Sequence, residues 1–552
     1  MHNERCNCLR FAAMVWRLIP ALLLVTPALF AADESRKPSP LEILLVDDHF
    51  VLYRSGTKRR LHPATRFKSN PVIQEDRPWE LAIAWNSIYR DPSSGKYQLW
   101  YQAYAGKRAE HKTHECVVCY AESMDGIHFS KPNLGLHTFN DVQETNIVLI
   151  GDGGYGDRYC NSVVVEPDEP DPNKRYKMLY YDFFTDKQGR EFPGWNAAFS
   201  PDGIHWTKSS RGPLNETSYG GRGQQPPFAD EDVYEARFDK RKNLFRKSWR
   251  FPLTMSDAVD VFFDPQHAAY VVYGKCWLQG PAGGLAWKHG MARVESKDFL
   301  HWSKPQIVLS PDDQDPPNLE FHTSPVFFHK GCYFSLNQIL NSRGEVAKTA
   351  ADLMHIELMI SRDGWRWERP FRQTRFLAQT ADEQFSSGSI FSNACPVVTE
   401  DEIRFYYGGY SATAIGGGKQ ITGNSQRSGV GFASIPLDRF AGIRPLPRSN
   451  QPTLKRPLEH VGQITLKPLD LTAHRNLTLN ADARQGSVRV EILNADGYRL
   501  RGYSKDVAVP IRGNSLAHAV AWQEAALQDL PSGKYMLRLH LDQAEVFAIT
   551  LK

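Results

Sequence analysis

Four carboxylates are placed where they could do chemistry: Glu80, Asp257, Asp260 and Glu320. Each stands at or just ahead of an apolar run of strand character. Beside them lie residue types that hold polyhydroxylated ligands, namely Trp79, Asn86, Arg158, Asn161, His322 and Asn393. Cleavage of a glycosidic bond needs one protonated carboxylic acid for the leaving oxygen and one carboxylate as base or nucleophile. A third charge nearby can raise the pKa of the acid. Asp257 and Asp260 are three apart, so in an extended strand they face opposite ways and one of them enters the site. Asp260 is favoured by its place at the strand start. Each residue also has a plainer reading: Glu80 as a backbone acceptor, Glu320 as a loop residue, His322 as a hydrogen-bonding partner.

These residues converge only if a repeating scaffold brings strand starts together. Ser200-Pro201-Asp202-Gly203-Ile204-His205-Trp206 recurs in variant form at Ser123–Phe129, Ser296–Trp302 and Ser361–Trp367. Asp-Gly supplies a tight turn with positive φ, and the closing aromatic can pack between sheets. Asp125, Asp202, Asp298 and Asp363 are therefore assigned to outer turns rather than to chemistry. Between the turns runs a second pattern, an apolar strand followed by a Tyr-rich one. Asn86–Pro92 leads into Lys96–Tyr101, Asn161–Val165 into Arg175–Tyr181, Asp260–Pro265 into Tyr270–Tyr273, Pro325–Phe328 into Cys332–Leu336, and Pro396–Val398 into Ile403–Tyr407. Helical periodicity is nearly absent. Five hairpin units of about four strands each predict a five-bladed β-propeller over residues 76–445. Its inner strands start at one mouth of a central channel, where the candidate residues gather.

Residues 33–75 form a lead-in, with a strand expected over Leu44–Leu52 and a basic loop at Lys58-Arg59-Arg60, able to wrap a later sheet and close it. An irregular Gly-, Pro- and Arg-rich insertion occupies about 210–250. After a Pro-rich linker near 445–455, alternation at Leu477–Ala481, Ser487–Leu493, Tyr535–Leu541 and Val546–Leu551 predicts a small C-terminal β-sandwich over 455–552. The fold expected is all-β.

Residues 1–32 read as a secretory signal. Arg5, Arg10 and Arg17 precede an apolar run from Leu18 to Phe30, and Ala31-Ala32 offers small residues for cleavage. The run is short for a membrane span, so a secreted or periplasmic protein without stable membrane insertion is expected. A formal net charge of +4 gives no electrostatic case for nucleic acid. Six cysteines beyond the signal are too scattered for a disulfide framework. His111-x-x-His114-x-Cys116-x-x-Cys119 has a metal-like look, but a strand over Cys116–Tyr120 would turn its two cysteines to opposite faces. No metal or cofactor is called for.

The Ser-x-Asp-Gly-x-x-Trp turns, the five hairpins and the C-terminal β-sandwich together resemble the five-bladed propeller glycoside hydrolases, a group with invertase-like and arabinanase/xylosidase-like enzymes. Leu45-Val46-Asp47-Asp48 and Asp76-Arg77-Pro78-Trp79-Glu80 are similar to exported glycosidase-like propellers of planctomycete-type bacteria. The resemblance covers residues 40 to 552 and implies a carbohydrate substrate. Invertase-like enzymes carry Asn-Asp-Pro, Arg-Asp-Pro and Glu-Cys-Pro; here the matching regions read Ala82–Asn86, Ser256-Asp257-Ala258 and Thr323-Ser324-Pro325. Only Asp257 falls near a family acid, so Glu80 and Glu320 would replace the other two. The turns differ from the sialidase Asp-box, in which a residue separates Asp from Gly. The expected function is cleavage of a glycosidic bond in a poly- or oligosaccharide; the alternative is a non-catalytic carbohydrate-binding propeller.

Overall fold

A computed structural model describes residues 40–105, 116–151, 161–185, 191–215, 255, 257–278, 288–341, 353–411, 427–447 and 461–552. The signal-like stretch, Arg158, His111, His114, most of the 210–250 insertion and the middle of the Pro-rich linker lie outside the described residues. The described chain is all-β; its only helical elements are three-residue 3₁₀ turns such as Pro172–Lys174.

Three sheets are simple four-stranded antiparallel runs. The first holds Ala82–Arg90, Tyr97–Tyr104, Cys116–Ser123 and Ile147–Ile150; the second Asn161–Val165, Tyr176–Thr185, Glu191–Ser200 and Thr207–Lys208; the third Val261–Asp264, Ala269–Leu278, Lys288–Ser296 and Gln306–Leu309. A twelve-stranded sheet carries two further runs, built on Cys332–Asn341 with Met354–Ser361 and on Glu402–Tyr410 with Ser428–Pro436. One parallel bridge, Met354 to Ser389, joins them. We refer to these runs in chain order as the first to fifth meander.

Short polar side chains tie the innermost strands to one another, because an inner edge exposes backbone groups that need partners. Ser87 Oγ donates to the Asn161 carbonyl (3.2 Å) and accepts from Val163 N (3.1 Å), linking first to second. Ser162 Oγ accepts from Val261 N at 2.9 Å, linking second to third. Two further links reach the second strand of the fourth meander, Cys332–Asn341: Tyr333 donates to Asp264 of the third (2.8 Å), and Ser392 Oγ of the fifth donates to the Leu336 carbonyl (2.7 Å). Asn393 Nδ2 donates to Asn86 Oδ1 (2.9 Å), returning from fifth to first and closing a ring.

The recurrent turns staple the same ring at its far end. Asp125 Oδ1 accepts from the Ile127 and His128 N–H groups, each at 2.8 Å, and Asp202 repeats the arrangement. Gly126, Gly203 and Gly364 have φ of 73°, 78° and 73°. Their carbonyls accept from an aromatic of the preceding meander: Tyr406 on Gly126 (2.7 Å), Trp100 on Gly203 (2.6 Å), Tyr273 on Gly364 (2.6 Å). In the third meander Phe299 replaces the glycine at φ 68° and packs instead, edge-on to Tyr270 at 5.1 Å.

The lead-in divides between two sheets. Thr65–Arg66 and Ile73–Gln74 pair with Ser428–Pro436 at the outer edge of the fifth meander. Leu41–Leu44, Val51–Ser55 and Thr57–Leu61 instead enter a ten-stranded sheet with the C-terminal strands. The strand expected over Leu44–Leu52 is broken, because Asp47 turns back to accept from His49 N (3.0 Å) and pairs with Arg362 (2.7 Å). Within the ten-stranded sheet Leu477–Asn494 pairs through its first half with Glu545–Leu551 and through its second with Lys534–Asp542. Ile43, Ile464, Val490, Leu537 and Ile549 fill its core. Arg362 on Asp47, and His329 and Lys330 on Asp438, fasten this sheet to the fourth meander.

Candidate functional site

In an antiparallel meander the first strand starts, the second ends and the third starts at one end of the sheet. The Asp-Gly turns follow third strands, so they occupy the opposite end. Among the described candidates Glu80, Asn161, Asp257, Asp260 and Glu320 stand at or before first-strand starts, and a bulge lies in the first of these strands. Pairing between Ala82–Arg90 and Tyr97–Tyr104 shifts register between Ile83 and Asn86. A bulge bends its strand and re-aims a side chain, and here Trp85 is sent across the axis. Its ring lies 4.5 Å from that of Phe391 and stacks on His322 at 5.8 Å, with 19° between the planes. Gly408 makes the bulge possible: a Cβ there would stand 2.5 Å from the Ala84 carbonyl carbon and 2.7 Å from its Cα.

Around His322 the third and fourth meanders bring together two carboxylates and two cation-forming groups. Lys275 Nζ lies 2.7 Å from Asp257 Oδ1. His289 Nδ1 lies 2.6 Å from Glu320 Oε2, which also accepts from the His289 backbone N at 3.2 Å. His322 is itself held by Gln338, through its backbone N on the Gln338 carbonyl (2.8 Å) and through Nδ1 against Oε1 (3.0 Å). Burial pushes the His322 imidazole down to about 3; Lys275 adds to this and Asp257 opposes it. An imidazolium here would lose water and face an ammonium, so the ring is neutral.

The structure thus brings Asp257, Glu320 and His322 into one cluster. Asp260 is buried, with a hydrogen bond from the Ala394 backbone on one side and no partner for Oδ2 among the described residues. Burial raises its carboxyl well above the ordinary range. Cys395 borders it, its thiol pushed up to about 12 by burial. The Asn161 amide is buried at the start of the second meander, and neither polar atom has a partner among the described residues. Asn86 and Asn393 are occupied with each other, with the Ala84 and Tyr406 carbonyls and with Cys395 N.

Glu80 sits elsewhere. Tyr101 donates to Oε1 at 2.5 Å; Lys131 Nζ (2.7 Å) and the backbone N of Asp76 (3.0 Å) and Arg77 (3.2 Å) share Oε2. Trp79 joins the same network through Asn146. Trp79, Tyr101 and Cys119 pack with Tyr406 and Phe432, so this carboxylate lies in the flank between first and fifth meanders. Cys116 and Cys119 face different cores, as a strand requires.

Four residues of the cluster were not singled out in the sequence: Trp85, Lys275, His289 and Gln338. Lys275 left a trace, a lysine inside the otherwise apolar run Ala269–Leu278. The bulge that aims Trp85 left none.

No protein-family model matches the chain, and no curated protein does. Several solved structures do. One comes from the GH130 family of mannoside phosphorylases, which contains glycoside hydrolases that target β-1,2-mannosidic linkages in Candida mannan; it is 17% identical, covers 68% of this chain and 94% of that one, and has a TM-score of 0.39. The α-L-arabinofuranosidase PaAbf62A from Podospora anserina is 14% identical over 68% of this chain and 97% of its own, with a TM-score of 0.38. The Bombyx mori GH32 β-fructofuranosidase BmSUC1 is 10% identical over 89% of this chain and 93% of its own, with a TM-score of 0.36. At TM-scores below 0.5 these likenesses carry no argument about activity, which rests on the residues of this chain.

Proposed function

We propose that this chain is an exported glycoside hydrolase, built as a five-bladed β-propeller with a C-terminal β-sandwich, in which Asp257 and Glu320 form the acid/base pair. The observation that carries the reading is the meeting of these two carboxylates from adjoining meanders, each with its own buried basic partner, around a neutral His322 stacked on Trp85. Glu320, 2.6 Å from His289 Nδ1, is the general acid that protonates the leaving glycosidic oxygen. Asp257, held as an anion by Lys275, acts as base or nucleophile. Asp260 stays protonated and structural, and Glu80 anchors the seam between first and fifth meanders. The apolar run Leu18–Phe30 supports export.

The test is sugar release from a panel of plant, algal and host glycans. Asp257→Asn and Glu320→Gln should each lose about a hundredfold or more in kcat while remaining folded, the size expected for acid/base groups. Glu80→Gln should keep kcat and lose thermal stability. Cleavage that survives both site substitutions overturns the assignment. Glycan binding without cleavage, equal in wild type and both variants, would replace the hydrolase with a carbohydrate-binding propeller.

A further inference from the structure

The amide of Gln338 has one orientation open to it, and that orientation decides which nitrogen of His322 carries the proton. Gln338 Nε2 lies 3.3 Å from both the carbonyl and the Oγ of Ser392. The carbonyl can only accept. The Ser392 hydroxyl has already donated to the Leu336 carbonyl at 2.7 Å, so Oγ also accepts. Two acceptors on one side require the NH₂ of Gln338 to face Ser392. Oε1 therefore faces His322, and Nδ1, at 3.0 Å, must be an N–H. A neutral imidazole with its proton on Nδ1 keeps a lone pair on Nε2. Among the described residues no hydrogen-bond partner approaches that atom, and His322 is half-buried rather than enclosed.

We propose that His322 Nε2 is the fixed hydrogen-bond acceptor of the site, receiving one hydroxyl of a bound sugar, and that Gln338 is the positioning residue that sets the tautomer. The occupant rests on the glycan reading above; the tautomer does not. The geometry suits an acceptor that must not change with pH. Lys275, Asp257 and His289 act on the ring from the third meander, Glu320 lies two residues before it against His289, and Trp85 and Phe391 cover it with apolar surface. Protonation would turn the acceptor into a donor and set it against Lys275. Sugar hydroxyls both donate and accept, so a fixed acceptor selects the hydroxyl whose proton can point at it, and with it one ring orientation.

Two measurements test this separately. The first is nitrogen NMR of histidine-labelled full-length protein, with His322 assigned from the His322→Asn variant. Nδ1 should be protonated and Nε2 bare from pH 5 to 8. Gln338→Glu places a carboxylate against Nδ1–H and should raise the His322 midpoint by a unit or more, a shift that loss of packing alone would not cause. An Nε2–H tautomer, or a wild-type midpoint between pH 5 and 8, overturns the proposal whatever the site binds. The second is binding of methyl glycosides of glucose, mannose, galactose, xylose, arabinose and fructose, and of the monodeoxy forms of any that bind. His322→Asn keeps the bond to Gln338 but lacks an atom at Nε2, and should weaken binding about tenfold. His322→Gln, which can reach the same spot with an oxygen, should recover part of it. One deoxy sugar should bind wild type and His322→Asn alike. If His322→Asn binds every sugar as wild type does, the acceptor role fails and the glycan reading stands. If the tautomer is as expected and no glycoside binds wild type, the sugar as occupant is overturned along with the glycan reading.

Discussion

Replacing Gly408 with alanine tests the geometry on which the whole site depends. Gly408 has an ordinary strand φ, so alanine brings no backbone strain there and on propensity alone should help the strand. The cost comes from Ala84. The new Cβ would stand 2.5 Å from the Ala84 carbonyl carbon and 2.7 Å from its Cα. Carbon atoms rest at about 3.5–4.0 Å, so the two backbones must separate by about 1 Å. Neither can yield alone, since the Asn393–Asn86 bond at 2.9 Å crosses the same seam. Overpacking of this kind costs about 1–3 kcal/mol, and a clash against backbone belongs at the upper end. We expect Gly408→Ala to lose about 3 kcal/mol in urea unfolding, with a Tm lower by several degrees. Gly331→Ala is the control: its φ is 72° with nothing within 4 Å of a Cβ, so only the left-handed penalty of about 1–2 kcal/mol applies. Trp85 fluorescence, isolated by difference from Trp85→Phe, should shift in Gly408→Ala and stay unchanged in Gly331→Ala. If Gly408→Ala melts within a degree of wild type, the close approach is not there and the account of how Trp85 is aimed is wrong.

Asp260 and Asp202 should leave opposite marks on the pH dependence of stability. The Asp260 carboxyl is raised by burial, so the folded chain holds a proton that the unfolded chain releases above about pH 4. That contribution is lost as pH rises, and Asp260→Asn should gain on wild type in melts taken from pH 4 to 8; a constant loss across that range would refute a protonated Asp260. Burial pulls the Asp202 carboxyl up, but the His205 and Ile204 N–H groups, the His205 ring and Ser200 outweigh it and hold it at about 2. Its contribution is present above about pH 4 and lost as pH falls towards 2, so Asp202→Asn should flatten the acid limb of the melting curve. Arg362→Ala leaves the mostly buried Asp47 without its guanidinium and should cost about 2–3 kcal/mol, read as earlier proteolytic release of the ten-stranded sheet. Equal proteolysis rates would show that the apolar contacts alone hold that sheet.

The repeat was legible because turn chemistry is local. Asp-Gly followed by an aromatic specifies a positive-φ turn wherever it occurs, and Asp125, Asp202 and Asp363 make the hydrogen bonds their spacing implies. Strand alternation was legible for the same reason, as Cys116 and Cys119 on opposite faces illustrate. The candidate residues were found by position rather than by motif, and that rule has a coarse grain. A strand start picks out one end of the sheet without telling whether a side chain meets Lys275 and His322, as Asp257 does, or lies between the first and fifth meanders, as Glu80 does. Trp85 lay outside reach because a bulge depends on the partner strand, here on Gly408, more than 300 residues away in the chain. Lys275 and His289 act through partners that come close only after folding.

The pairing of Leu41 with Leu551, and of Thr57–Leu61 with Ala441–Pro445, carries a consequence for synthesis. A nascent chain emerges N-terminus first, at about 5–20 residues per second. The strand at Thr57–Leu61 therefore waits tens of seconds on the ribosome before its neighbour exists. An unpaired strand edge is a template for pairing with other chains. Lys58, Arg59 and Arg60 fill the middle of this one, and like charges in register repel a second copy of the same strand. In the folded chain Arg59 of the same triplet donates to the Leu45 carbonyl and to Asp48.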